Sequence, residues 1–541
     1  MTRALYTGGR IFTGTENEWA EALVVEGGEL LYVGDEHTAR AEAGPDAHST
    51  DLAGRLVLSG FTDAHTHLVM MGDALGRVPL TDARSLQQIL QRLLAARETQ
   101  PDATRLLGTG WLFDSFDGAV PTAAMIDAVV PDIPVYLDAN DYHSCWVNTA
   151  ALKELGITSE TADPLGGSLS RDDHGEPTGL LYETAAQQHA WAFLASVTTD
   201  ANRDQAIERM LSAYAAAGVT GAVDMALDEL GLAALQRAAA RRGGRLPLRV
   251  AGHWFIENTG DDTANRQQVE RAVQLAAEVH SPWLHVVGIK LVLDGVIDAC
   301  TAAMTHPYAN GSNAELIWPY DALAPVVAAA DACKLQIALH AIGDRASTVA
   351  LDAIEHAIRV NGEYDRRHRI EHLEYAAPGT AERMARLGVT ASMQPVHADP
   401  AIFDNWAAML GDDRVDRAFA WREYIDAGAL LAFSTDAPTA PHAALPNLYI
   451  AATRASALDP SFAPRDPSGA LPLAEALVHA TRDAAASVVG AENRGVLAAG
   501  KEADFVILDT DPFNEGVDKL LSARVVRTVV AGESVYDASA S

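Results

Sequence analysis

Short apolar runs recur along this chain, spaced as strands separated by helices. Eight strand-like runs, at residues 56–61, 219–225, 248–253, 284–291, 335–340, 368–372, 389–394 and 430–435, are candidates, and all but the polar 368–372 draw mainly on apolar and small residues. Strands covered on both faces read this way, since neither side must meet water. Helical stretches separate most of them, so the alternation predicts βα units, an α/β class and a (β/α)8 TIM-type barrel. The two ends differ in texture. Residues 4–33 and 503–535 alternate short strand-like pieces with glycine turns such as Gly8-Gly9, Gly27-Gly28 and Gly532, which is hairpin patterning. They predict a composite β-sandwich from residues 1–55 and 487–541, with the barrel over 56–486. The gap between the first two strands is far too long for a plain connection. It holds its own strand-like runs at 105–108 and 133–137, so residues 75–205 are expected to form an inserted α/β subdomain.

The ends of the predicted strands carry the chemistry. Gly60-Phe61-Thr62-Asp63-Ala64-His65-Thr66-His67 follows an apolar run. Side chains two apart on a strand share a face, so His65 and His67 project together, roughly 6–7 Å apart along the backbone. Both imidazoles can then reach one ion at about 2.0–2.1 Å. Lys290 lies inside the run 284–291, and His340, His372 and Asp436 each end a run. A barrel builds its active site from the carboxyl ends of its strands, so ligands distant in sequence converge there.

These segments resemble the amidohydrolase superfamily, and within it the YtcJ-like group (amidohydrolase family 3), which includes N-substituted formamide deformylases. The resemblance continues through Gly179-Leu180-Leu181-Tyr182-Glu183, Gly288-Ile289-Lys290 with Asp294-Gly295, and His340-Ala341-Ile342-Gly343-Asp344-Arg345-Ala346. Arg369-Ile370-Glu371-His372, Ser392-Met393-Gln394-Pro395, Ser434-Thr435-Asp436-Ala437-Pro438 and Gly500-Lys501-Glu502-Ala503-Asp504-Phe505 complete it. It implies that His65, His67 and Asp436 hold a more buried divalent ion, and His340 and His372 a more exposed one. Zinc is the expected metal. Burial beside cations drives a lysine towards its neutral amine, and such an amine takes up carbon dioxide. The resemblance therefore implies a carboxylated Lys290 bridging two ions.

On this reading the protein is a metal-dependent hydrolase of non-peptide C–N bonds in an amide, N-substituted formamide or carbamate. Metal-bound hydroxide attacks the carbonyl, with Asp436 as catalytic proton shuttle. In the insertion, Asp141-Tyr142-His143-Ser144 resembles a group motif that normally reads Asp-Gly-His, which makes His143 a catalytic and substrate-binding candidate. Trp111 and Trp146 are candidate pocket walls. Three positions depart from the group. Tyr142 replaces a usual glycine, Leu112 follows Trp111 where aspartate is common, and Cys300 stands where arginine is common.

Two alternatives keep the fold and change the function. A deaminase of heterocycles would carry a glutamate three residues after the fifth-strand histidine, but Gly343 stands there. A non-catalytic scaffold would have lost ligands, yet each expected position is filled. Composition narrows the partners. Among 541 residues, 73 acidic against 40 basic side chains give a net charge of −33, a field that repels nucleic acid and anionic membranes. Three cysteines without metal-type spacing suit a reducing compartment. No secretory segment or transmembrane-length apolar run is read. A cytoplasmic enzyme with a small-molecule substrate is expected, and a homodimer by resemblance.

Overall fold

The computed structural model describes residues 3–116, 118–140, 142, 144–164, 167–402, 405–411 and 413–539. Its chain divides into two compact units, one of residues 1–67 and 211–541, the other of residues 68–210.

The first unit contains eight parallel strands that neighbour one another in chain order. They are β1 (Phe61–Thr66), β2 (Val219–Leu227), β3 (Arg249–Phe255), β4 (Leu284–Val292), β5 (Gln336–Ala341), β6 (Arg369–His372), β7 (Thr390–Met393) and β8 (Leu431–Phe433). The outer strands of this order meet at their carboxyl ends. Asp436 N–H donates to His65 O at 2.8 Å, and His67 N–H donates to Ala437 O at 2.9 Å. Asp63 reinforces the junction. Its carboxylate accepts from Thr435 N–H at 3.0 Å and from the Tyr214 hydroxyl at 2.9 Å. The sheet is therefore a nearly closed barrel, and its seam lies beside residues 65 and 436.

One strand differs from the expectation. The first barrel strand is Phe61–Thr66, not residues 56–61. Leu56–Ser59 instead pairs in parallel with Arg10–Phe12 and antiparallel with Phe505–Leu508. A single apolar run thus serves two sheets, and hydrophobicity alone does not mark the change. Gly60 marks it: its N–H donates to Asp504 O at 3.0 Å, while the next N–H, of Phe61, goes to Gly218 O at 3.1 Å. A Cβ added at Gly60 would lie 2.3 Å from the Thr220 side chain.

The first unit has two further sheets, one from N-terminal strands alone and one from both termini. One has four strands in the order Glu29–Gly34, Ala22–Glu26, Arg3–Thr7, His48–Asp51. The other has six, in the order Glu533–Asp537, Val525–Val530, Phe505–Leu508, Leu56–Ser59, Arg10–Phe12, Trp19–Ala20. Tyr6, Leu23 and Val25 of the former share a buried cluster with Ile11, Val57, Phe505 and Val529 of the latter. Alternate residues facing one core account for the period-two pattern at both ends.

The second unit has a six-stranded mixed sheet, in the order Gly167–Arg171, Pro177–Glu183, Ser144–Val147, Val135–Ala139, Leu106–Trp111, Val78–Pro79. No described helix is long and apolar enough to cross a membrane.

The contact at Gly60 yields a test. Gly60→Ala should cost about 1–3 kcal/mol, the usual range for overpacking a tight site. It is read as a lowered midpoint in urea denaturation, and an unchanged midpoint would contradict the packing described.

Candidate metal centre

The barrel gathers its polar side chains at one end because each stands at or just beyond the carboxyl end of a strand. His65 lies in β1 and His67 just after it, Lys290 in β4, His340 in β5, His372 at the end of β6, and Asp436 just after β8. Such burial of polar groups is costly unless partners meet them, so the partners define the site.

One ligand-donor atom from each of His65, His67 and Asp436 falls within 4.8 Å of the others. Asp436 Oδ1 is 3.2 Å from His65 Nε2 and 3.0 Å from His67 Nε2. Despite those distances, Asp436 Oδ1 has no hydrogen-bond partner among the described residues. Three donor atoms that crowd together without hydrogen-bonding one another suit a shared cation. The site fits a divalent ion on that ground. Backbone strain accompanies it: Asp436 and His372 hold φ of 57° and 76°, left-handed values uncommon for residues other than glycine and clustered at functional sites.

Lys290 Nζ stands 3.3 Å from His65 Nε2. Burial pushes the Lys290 ammonium down to about 8, against the opposing pull of the Glu371 and Asp436 carboxylates. Burial likewise brings His340 down to about 3 and His372 well below its usual range, with cationic neighbours adding to the effect. Both imidazoles are therefore neutral near pH 7, the state in which a nitrogen lone pair is free. The rings of His340 and His372 are 4.4 Å apart, and those of His372 and His65 4.7 Å.

Further side chains, absent from the sequence-derived set, orient these. His65 Nδ1–H donates to Glu371 Oε2 at 2.7 Å, which turns Nε2 towards Asp436. Glu371 is itself gripped by Arg369, through Nε at 2.5 Å and Nη2 at 3.1 Å. Arg369 Nη2 also donates to Ala64 O and Ser392 Oγ, each at 2.7 Å. Burial alone would raise the Glu371 carboxyl, but Arg369 and His65 hold it well below the usual carboxylate range. His372 Nδ1–H donates to Gln394 Oε1 at 2.9 Å, and Gln394 in turn donates to Ser434 Oγ at 2.8 Å. Asp294 accepts from Ala303, Ile342 and Gly343 N–H at 2.8–3.0 Å, tying the loops after β4 and β5 together. Arg369 and Glu371 had a signal: charged residues two apart within a short predicted strand. The polar pair Glu374 and His397, whose atoms group with His372, had none, because the two lie in separate loops.

The expected substrate residues fall in the second unit. His143 lies outside the described residues. Trp111 and Trp146 are fully buried in that unit's hydrophobic cluster. Their indole N–H groups donate to Leu137 O at 2.8 Å and Thr122 O at 2.9 Å. This placement accounts for both rings as interior packing, with no exposed surface to serve as a pocket wall. Tyr142 takes φ of 57°, a left-handed value that favours glycine.

Comparison with known proteins places this arrangement. A family profile described as "Amidohydrolase family" matches residues 49–536. The chain is 30% identical to the putative amidohydrolase YtcJ of Bacillus subtilis (strain 168), over 99% of this chain and all of that one. It is 28% identical to the N-substituted formamide deformylase of Arthrobacter pascens, over 97% of this chain and 96% of that one. A crystal structure of an uncharacterized metal-dependent hydrolase from Pyrococcus furiosus superposes with a TM-score of 0.75 at 27% identity. The match covers 94% of this chain and 99% of that one.

Glu371→Gln tests the support given to His65. Loss of the charge opposite Arg369 should cost about 3–5 kcal/mol of stability and weaken zinc binding roughly 10–100-fold. Denaturant titration and competition with a chromophoric chelator read the two effects. Wild-type values in both would contradict the assignment.

Proposed function

Because the chain belongs to the amidohydrolase family, we propose that it hydrolyses a non-peptide C–N bond in an amide, N-substituted formamide or carbamate. That it is a hydrolase follows from the family; the bond class is our reading. The observation that carries it is the convergence of His65, His67 and Asp436 on one point, with Asp436 Oδ1 unpartnered there. The likeness to a formamide deformylase favours small acyl groups.

His65, His67 and Asp436 would hold one ion, and Lys290, His340 and His372 would complete a second position. Divalent zinc in such a set supplies Lewis acidity towards a carbonyl and activates water at neutral pH. The remaining chemistry belongs to the chain. Asp436 accepts the proton released as water adds to the carbonyl carbon, and passes it to the nitrogen as the C–N bond breaks. The new C–O bond and the protonated amine balance the reaction. Lys290, with its ammonium disfavoured by burial, reacts as the neutral amine with carbon dioxide, giving a carbamate and releasing a proton. The carbamate then offers two oxygens where the amine offered one nitrogen.

Residues 1–55 and 487–541 form a composite sandwich, residues 75–205 an inserted subdomain, and the protein acts in the cytoplasm as a homodimer on a small molecule. His143 retains its proposed role at the substrate.

Three outcomes test the proposal. With zinc-loaded enzyme, a screen of N-substituted formamides, N-acyl amines, carbamates and lactams should release an amine from at least one compound. Ammonia from aminopyrimidines or triazines alone would instead identify a deaminase. Lys290→Ala should lose most bound metal and activity, partly restored by short carboxylic acids; wild-type occupancy of two ions would refute the bridge. Asp436→Asn should retain some metal while kcat falls roughly 100–10,000-fold, in line with loss of general acid–base catalysis. A kcat near wild type would end that assignment.

A further inference from the structure

The segment that leaves β4 carries an acidic side chain without a task in the mechanism above. Asp294 ties this segment to the loop after β5 by accepting from Ile342 and Gly343 N–H, and Gly295 O lies 3.4 Å from His340 Nε2. Gly295 N–H donates to Thr301 O at 3.0 Å, so residues 295–301 turn back on themselves at the carboxyl end of the barrel. Asp298 stands in that turn, partly exposed. It is close enough to Glu374 and His397 for their charges to act on one another, and those two group with His372.

Among the described residues, neutral donors alone meet the Asp298 carboxylate. Trp406 Nε1–H donates to Oδ2 at 3.3 Å, and the Asn405 side chain supplies a second hydrogen bond. Burial pushes the carboxyl up, and these two bonds oppose it. The basic group whose charge reaches Asp298 is His397, and it already faces Glu374, with Nδ1 2.9 Å from Oε1. Near neutrality that pair is neutral or negative wherever its protons lie, so it leaves the charge of Asp298 unbalanced. Cys300, two residues on, brings no charge either. Its thiol packs 3.6 Å from Met409 Sδ, at a position where the YtcJ-like group commonly has arginine.

We propose that Asp298 is a specificity-determining residue, and that it selects amides whose substituent ends in a cation, an alkylammonium or guanidinium group. This inference rests on the hydrolase reading and narrows its substrate. A half-buried carboxylate without a counter-ion is costly. A cationic substituent removes that cost and gains a charge-assisted hydrogen bond, bidentate in the case of a guanidinium. A neutral substituent gains neither, and an anionic one is repelled. An arginine at position 300 would stand close enough to occupy the carboxylate; cysteine there frees it for the substrate. The net charge of −33 favours the same class of ligand from a distance.

The test has two arms, both at about 0.15 M salt, where distant charges are screened. In the first, zinc-loaded protein is titrated calorimetrically with methylguanidinium chloride, and with methylurea as its neutral counterpart. Asp298→Asn should weaken methylguanidinium binding about 10–100-fold and leave methylurea unaffected. Equal methylguanidinium affinity in the two proteins overturns the inference whatever the substrate screen gives. In the second arm, mono-N-formyl diaminoalkanes of two to six carbons are compared with N-formyl alkylamines of the same length. For at least one length, wild-type kcat/KM should favour the cation about 10–100-fold. Asp298→Asn should bring that ratio near one, Asp298→Glu should keep part of it, and Cys300→Arg should lower it. A merely structural Asp298 would lower both rates together, so a ratio unchanged in Asp298→Asn overturns the inference. So does a wild-type enzyme that hydrolyses both series equally, and the hydrolase reading then still stands. An enzyme inert on every compound fails the hydrolase reading, and the methylguanidinium arm alone decides whether Asp298 selects cations.

Discussion

Closure of the barrel between its first and last strands is the constraint on which the site depends. Two backbone hydrogen bonds make it, Asp436 N–H to His65 O and His67 N–H to Ala437 O. They join residues far apart in the chain, and the side chains of His65, His67 and Asp436 among them are the converging set. Asp63 and Tyr214 brace the same junction from below through Thr435 and Thr66. Register and chemistry are thus coupled: a shift of one residue in this pairing would turn His65 away from Asp436.

The site also concentrates charge where water is excluded. Arg369 and Glu371 are both fully buried, and their pairing is tolerated because each makes several bonds in fixed geometry. Glu371 transmits that order to His65, which itself faces Lys290 and Asp436. The consequence is an imidazole with one favoured tautomer, while burial brings the Lys290 ammonium down to about 8 against the pull of Glu371 and Asp436. Preorganisation of this type is what a catalytic site requires before any substrate arrives. His372 repeats the device more gently, with the neutral amide of Gln394 in place of a carboxylate.

Much of this was legible in the sequence, for a physical reason. Most barrel strands are apolar on both faces, so Lys290 inside one run and His340 and Asp436 at the ends of others stand out as polar residues. Where one run continued through two sheets, at Leu56–Ser59 and Phe61–Thr66, hydrophobicity could not show the switch, and only the crowding around Gly60 reveals it. Arg369 and Glu371 were visible as a period-two charged pair but unreadable as supports until His65 was placed opposite. Glu374 and His397 meet only through tertiary structure. Trp111 and Trp146 show the opposite failure, since a large aromatic in a pocket and one in a core look alike in sequence.

The central claim is that a cation belongs at the point shared by His65, His67 and Asp436. Anomalous diffraction at the zinc edge, from crystals grown with zinc, addresses it directly. The account predicts a strong peak bounded by His65 Nε2, His67 Nε2 and Asp436 Oδ1. No peak there, or one placed only at surface residues, would contradict it.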